Sequence, residues 1–257
     1  MHHEDAEIQL FDAHTHIDMP QFDADLPQVI DRARAGGLLG MVSSSTGPDS
    51  LRKTLQIAKD YREYVLHSAG CIVSRITRTD VESLVALTRA YRGEVVAVGE
   101  VGLDYYWVQS PREREEQAKL FKAFVQLSSE LDLPLVIHSR NAEAEAVAIL
   151  ERECSVPVLM HCFDGPPSVA NRVRDNGWSI SLPVTFRAYR NRVTAAQTVP
   201  LNQIMLETDG PFLSPSRKRN EPANLVLGCR ALADLLGLPV SDVAAATVRN
   251  ARQFYRV

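Results

Sequence analysis

Short apolar runs recur along the whole chain, eight in all: EIQLFDAH, LLGMVSSS, YVLHSAGCIV, VVAVGEVGLD, LPLVIHSR, VPVLMHCF, GWSISLPV and NQIMLETD. Most are β-branched or aliphatic stretches without polar alternation, the mark of parallel strands covered on both faces. Between them lie segments of helical period. The clearest is SPREREEQAKLFKAFVQLSSELD, where Leu120, Phe121, Phe124 and Leu131 share one face while Glu and Lys cover the other. Ser110 and Glu113 predict a capping box at its start, and Pro111 suits the first helical turn. Gly177 and Gly237 stand where a left-handed residue would end a helix, and Ser241 is placed to cap a terminal helix over SDVAAATVRNARQFYRV.

Eight strand and helix units in 257 residues, with no Gly-, Pro- or Ser-rich linker and no break in composition, predict one domain over residues 1–257, a (β/α)8 TIM barrel. A doubly wound open sheet would want a glycine-rich phosphate loop after its first strand, and HTHIDMPQ contains no glycine. A hydrophobic content of 45% supplies a substantial core, and a net charge of -4 argues against a broadly basic surface that coats nucleic acid. No apolar run approaches the ~20 residues of a membrane span, and MHHEDAEIQL lacks the basic end and apolar stretch of a signal peptide. The expectation is a soluble cytoplasmic protein without a membrane partner. Cys71, Cys154, Cys162 and Cys229 form no C-x-x-C pair and read as reduced packing residues. In a strand, Cys162 would face away from its neighbour His161. His2 and His3 sit in a polar terminus and are given no role.

A barrel gathers its functional groups where strands end. His14 and His16 close the first run, two apart and so on one side of a strand. Glu100 ends VVAVGE, His138 ends LPLVIH, His161 ends VPVLMH and Asp209 ends NQIMLETD. One histidine after a strand is ordinarily a hydrogen-bonded loop residue, but together these six converge on one mouth. His67, inside the third run, reads as a satisfied structural histidine. Four imidazoles and two carboxylates exceed the needs of one tetrahedral ion and suit two divalent ions sharing a carboxylate. The donor types favour Zn, Mn or Co over Ca, with Mg possible as the ion supporting activity.

The segments FDAHTHID, GEVGLDYY, LPLVIHSRNA, HCFDG, ETDGPFLSP and RNEPANL resemble, in order and spacing, the signatures of the TatD family of metal-dependent deoxyribonucleases in the amidohydrolase superfamily. The resemblance covers essentially the whole chain. It implies that His14, His16 and Asp209 hold one metal, that His138 and His161 hold the second, and that Glu100 bridges them. It also implies hydrolysis of DNA phosphodiesters, with trimming from the 3′ end, and Asp209 as the group that accepts the proton of the attacking water.

Cations near the mouth would meet the charge of a phosphodiester transition state. Arg140 follows His138 closely; Arg187, Arg190 and Arg192 follow the seventh strand, and Arg217, Lys218 and Arg219 follow the eighth. Tyr105, Tyr106 and Trp107 could stack on an unpaired base or pack their own loop. Asn220, Glu221 and Pro222 read as shaping a loop and capping the next helix. The chain departs from the family pattern in three places. SAGCIVSR stands where many members carry G-x-H-P-H, Gly210 replaces Ala or Ser and would loosen the backbone beside Asp209, and ISLPVTFR replaces a glycine-rich stretch. A small-molecule hydrolase on the same barrel, acting on an amide, lactone or phosphoester, is the competing expectation. A non-catalytic barrel with structural metals fits less well, because six ligands for two ions leave positions open.

Overall fold

A computed structural model describes residues 8–257; His2 and His3 lie outside the described residues. All eight apolar runs contain a strand: β1 (Leu10–Thr15), β2 (Leu38–Ser44), β3 (Val65–Ala69), β4 (Ala97–Asp104), β5 (Leu135–Arg140), β6 (Val158–Met160), β7 (Ser179–Pro183) and β8 (Ile204–Glu207). They lie side by side in sequence order, every neighbouring pair parallel. Beyond the regular ladder β8 closes on β1: the Asp209 N–H donates to the His14 carbonyl at 2.9 Å and the His16 N–H to the Gly210 carbonyl at 2.7 Å. The helices α1 (Leu26–Ala35), α2 (Pro48–Asp60), α3 (Arg78–Ala90), α4 (Pro111–Leu131), α5 (Glu143–Glu153), α6 (Pro167–Asp175), α7 (Arg190–Thr198) and α8 (Leu225–Leu236) alternate with the strands, and α9 (Val240–Tyr255) ends the chain. This is the predicted TIM barrel.

Two apolar layers follow from the alternation of strand side chains. Outward-facing residues such as Leu10, Met41, Val65, Val98, Ile137 and Ile180 pack against the helices in the larger cluster. Inward-facing Phe11, Ala13, Val42, Ala97, Val136, Leu159 and Met205 fill the barrel, where Val248, Ala251, Phe254 and Tyr255 of α9 cover them from below. The Tyr255 hydroxyl donates to the Ala13 carbonyl at 2.7 Å, locking this plug to β1. The lower end is thereby shut, and chemistry is left to the upper. Among the described residues no single helix is long and apolar enough to cross a membrane.

Several local expectations need correction. Ser110 stands at the N-cap of α4 with Pro111 first in the helix, but its side chain makes no capping bond, so the Ser110–Glu113 box does not form. The box is at α3 instead, where the Asp80 N–H donates to Thr77 Oγ1 at 3.2 Å and the Thr77 N–H to Asp80 Oδ2 at 3.0 Å. Ser241 lies inside α9, whose N-cap position is Pro239; the proline pair with Val240 starts the helix earlier. Gly177 and Gly237 do take left-handed conformations at the ends of α6 and α8. β6 stops at Met160, and Cys162 has φ +49° in the turn beyond, so strand alternation does not set its direction. None of the four cysteines is in a disulfide.

Candidate metal centre

The six predicted ligands meet at the upper mouth. His14 and His16 point the same way from the end of β1, with Nε2 atoms 3.2 Å apart. Asp209 Oδ1 lies 3.4 Å from His16 Nε2 and 3.8 Å from His14 Nε2. Glu100 Oε2 lies 2.8 Å from His161 Nε2, 3.5 Å from His138 Nδ1 and 3.8 Å from His14 Nε2. Two sets of donors each fit within 4.8 Å: His14, His16 and Asp209, and His14, Glu100 and His161. His14 belongs to both. His138 approaches Glu100 but stands outside the tighter sets, its ring centroid 5.9 Å from that of His161.

These contacts suit a cation better than a hydrogen-bond network. Two nitrogens on one tetrahedral zinc, each at about 2.05 Å, sit about 3.3 Å apart, close to the separation of the two Nε2 atoms. Glu100 Oε2 is buried among imidazoles yet has no well-aligned hydrogen-bond donor. Such an acceptor, ringed by imidazole nitrogens, asks for positive charge, which a cation or protons on those rings supply. The donor set of imidazoles and carboxylates matches divalent ions of borderline softness.

The outer nitrogens of three histidines are taken, which turns the other nitrogen inward. His16 Nδ1 donates to the Ser44 carbonyl at 2.8 Å. His138 Nε2 is 3.0 Å from Asp104 Oδ2, and His161 Nδ1 is 3.2 Å from Glu207 Oε2. Sequence reasoning missed Asp104 and Glu207, although both lie in the quoted motifs. Their signal was an even spacing from Glu100 and Asp209, which puts carboxylates on one side of a strand. Asp104 also receives the N–H groups of Tyr106 and Trp107 at 3.1 and 3.0 Å on Oδ1, tying the aromatic loop to His138.

Glu100 does not end its strand as predicted, because β4 continues to Asp104 past an irregularity between Val98 and Val101. Ser44 holds the site, its Oγ donating to the Gly99 carbonyl and receiving the Glu100 N–H, both at 2.6 Å. Gly70 presses against the same peptide: a Cβ there would lie 2.2 Å from Glu100 N. Gly210, expected to loosen the backbone beside Asp209, is instead pinned, since its carbonyl also receives Thr15 Oγ1 at 3.2 Å. Asn220 is buried, and its Nδ2 donates to the Thr208 carbonyl at 2.7 Å, so it shapes this turn as predicted; the expected helix cap does not form, since neither Glu221 nor Asn224 makes a side-chain capping bond.

Charge follows from the crowding. Burial opposes charge on His16 and His138, but the Asp209 hydrogen bond with Glu100 nearby raises His16 to about 9, and Asp104 and Glu100 raise His138 to about 9. Burial opposes it on His161 too, yet Glu207 and Glu100 lift it well above the usual range. Burial, with His161 and His16 beside it, keeps His14 well below that range. Glu100 is held low by His161 and His138 against the pull of burial.

The predicted substrate contacts separate. The Arg140 guanidinium lies 3.7 Å over the Tyr106 ring, and Tyr106 and the largely exposed Trp107 meet edge to face. Tyr105 turns away to pack under Arg114 at 4.3 Å, so it belongs to its own loop. Arg187 pairs with Asp234 on α8, away from the donors. Arg217 is exposed in the loop after β8, while Arg219 is engaged by Asp25. His67 is buried as expected, with no well-aligned hydrogen-bond partner for its ring nitrogens among the described residues beyond a weak approach to the Ser43 backbone, and burial lowers it to about 3.

Residues 11–256 match the family described as TatD related DNase. The chain belongs to the TatD family. It is 30% identical over 266 residues to human deoxyribonuclease TATDN3, covering 97% of this chain and 96% of that protein. It is 31% identical over 256 residues to the uncharacterized metal-dependent hydrolase YabD of Bacillus subtilis, covering 96% and 99%. The crystal structure of the TatD homologue YjjV from Escherichia coli superposes with a TM-score of 0.88 at 24% identity, covering 98% and 99%, and shares the barrel. As a TatD-family metal-dependent hydrolase, the protein has in its two donor sets the places where metals could bind.

Proposed function

We propose that the protein is a cytoplasmic deoxyribonuclease that hydrolyses DNA phosphodiesters, working on single strands or 3′ ends. In this reading His14, His16 and Asp209 hold one divalent ion, His138 and His161 a second, and Glu100 joins the two. The observation that carries it is the position of Glu100 Oε2, 2.8 Å from His161 Nε2, 3.5 Å from His138 Nδ1 and 3.8 Å from His14 Nε2, between the His14, His16 and Asp209 donors and the other two imidazoles at the open end of a barrel plugged below. Zn, Mn or Co fits these donors, and Mg could support turnover. When bound, such ions supply Lewis acidity toward a phosphodiester and acidify a water.

The chain's own residues do the rest. Asp209, at the mouth with Oδ1 beside His16 Nε2, is the proton acceptor for the attacking water. Ser44, Asp104 and Glu207 fix the imidazoles so that nothing need reorganise as charge develops. Arg140, held 3.7 Å over the Tyr106 ring, presents a cation to a phosphate oxygen, and the exposed Tyr106 and Trp107 can receive an unpaired base. Arg217, exposed in the loop after β8, offers a further cation to the strand.

The test is metal-dependent degradation of 3′-labelled single-stranded DNA by the protein and by Glu100→Ala and Asp209→Ala. Both variants should lose at least about 100-fold in rate. Undiminished cleavage by both would assign the activity to a contaminant. Turnover of a lactone or phosphomonoester without any of DNA would make the protein a small-molecule hydrolase.

A further inference from the structure

Arg192 is a buried guanidinium without enough to hold. It lies in the first turn of α7, its side chain 9% exposed, and both Nε and Nη1 are buried with no hydrogen-bond partner among the described residues. Asp164 stands off at 3.5 Å from Nε, too far for a hydrogen bond, and the Tyr189 ring lies 4.3 Å beneath the guanidinium. Thr185, in the same loop after β7, has a buried hydroxyl that is also unpartnered.

The arginines that serve structure in this molecule behave differently. Arg32 closes its fork on Glu221 at 2.9 and 2.7 Å, and Arg89 on Glu130 at 2.8 and 2.7 Å, both on the outer surface. A guanidinium taken out of water with its fork open is unfavourable unless something fills it. The filler must be an anion with paired oxygens, which the planar fork matches.

Its position says which anion. The N-terminus of α7 and the loop after β7 are on the face that carries the metal ligands, and Asp164 is three residues past His161. The Asn191 amide donates to the Asp164 carbonyl at 3.0 Å, holding α7 against the His161 loop. Barrels commonly bind phosphate with the loops after their seventh and eighth strands.

We propose that Arg192, with the Thr185 hydroxyl of the same loop, forms a subsite for a non-scissile phosphate of the DNA strand, next to the one at the metal centre. The identity of the ligand rests on the nuclease reading; the existence of an anion site does not.

The test measures binding to the metal-loaded protein by fluorescence anisotropy, with single-stranded oligonucleotides closed at the 3′ end by an inverted nucleotide. One neutral methylphosphonate linkage is walked along the strand. Wild type should lose about tenfold in affinity at one linkage. Arg192→Gln should lose the same tenfold on the all-phosphate strand and nothing more at that linkage, with KM for cleavage rising in step and kcat within about threefold. Arg192→Lys, which keeps the charge and loses the fork, should fall between and carries the test if the Gln variant does not fold. Undiminished binding by the variant, or losses that add at every linkage, would overturn the subsite. If wild type binds no DNA, the nuclease reading fails and inorganic phosphate becomes the probe: a melting temperature raised by phosphate in wild type but not in Arg192→Gln keeps the anion site, and any other result removes it.

Discussion

Glu207 and Asp104 hold the outer nitrogens of His161 and His138, leaving the inner nitrogens of both rings free for a cation. Replacing either carboxylate with its amide, Glu207→Gln or Asp104→Asn, keeps the volume but offers the imidazole an ambiguous partner. Metal affinity read by titration calorimetry should fall about 10- to 100-fold in each, with the far-ultraviolet dichroism unchanged. Equal affinity would show that the histidines need no such anchoring. At this scale the sequence revealed the six donors because each stands in or just past the upper part of an apolar run, and the barrel supplies the convergence. It could not reveal which way a loop side chain turns. Tyr105 and Tyr106 are adjacent, yet one packs on Arg114 and the other carries Arg140. Arg187 and Arg192 both follow β7, yet one pairs with Asp234 on α8 and the other is buried beside Asp164.

Between elements, the chain just past β3 runs hard against β4. The SAGC stretch departs from the family pattern, and its Gly70 is what lets the Glu100 peptide pass. Gly70→Ala should cost about 3 kcal/mol of stability in urea unfolding, because the obstacle is backbone and cannot swing aside, and metal content should fall with it. A stability change within about 0.5 kcal/mol would mean that the two strands can part without harm. The order and number of strands were legible from apolar runs alone, since strands covered on both faces leave continuous hydrophobic stretches. Their lengths were not. β6 is three residues long and β4 runs past Glu100, for a ladder ends where neighbours stop pairing and not where the apolar run stops. Capping failed for a related reason: Ser110 had the right neighbours, but its side chain was not turned to the helix.

Metal, protons and stability are linked across the whole molecule. In metal-free protein His16 and His138 titrate near 9, against about 6.5 for an unfolded histidine. Folded protein therefore holds more protons than unfolded between these values, so this stabilisation is complete below pH 6.5 and is lost as pH rises through 9. Chemical denaturation of metal-free protein should show stability falling over that window; a rise would contradict it. The same protons must leave before the nitrogens can bind a metal, so metal affinity should climb toward pH 9 with measurable proton release. At 100 times its dissociation constant a bound ion adds about 2.7 kcal/mol, which chelation should return as a fall of about 5 to 10 °C in melting temperature. The seam between β8 and β1 adds a temporal consequence. His14 is made 195 residues before Asp209, and the amide bonds that zip the first strand to the last belong to these same two residues and their neighbours. A nascent chain thus has neither a shut ring nor a complete set of donors, so its chemistry stays dormant on the ribosome until the final strand docks.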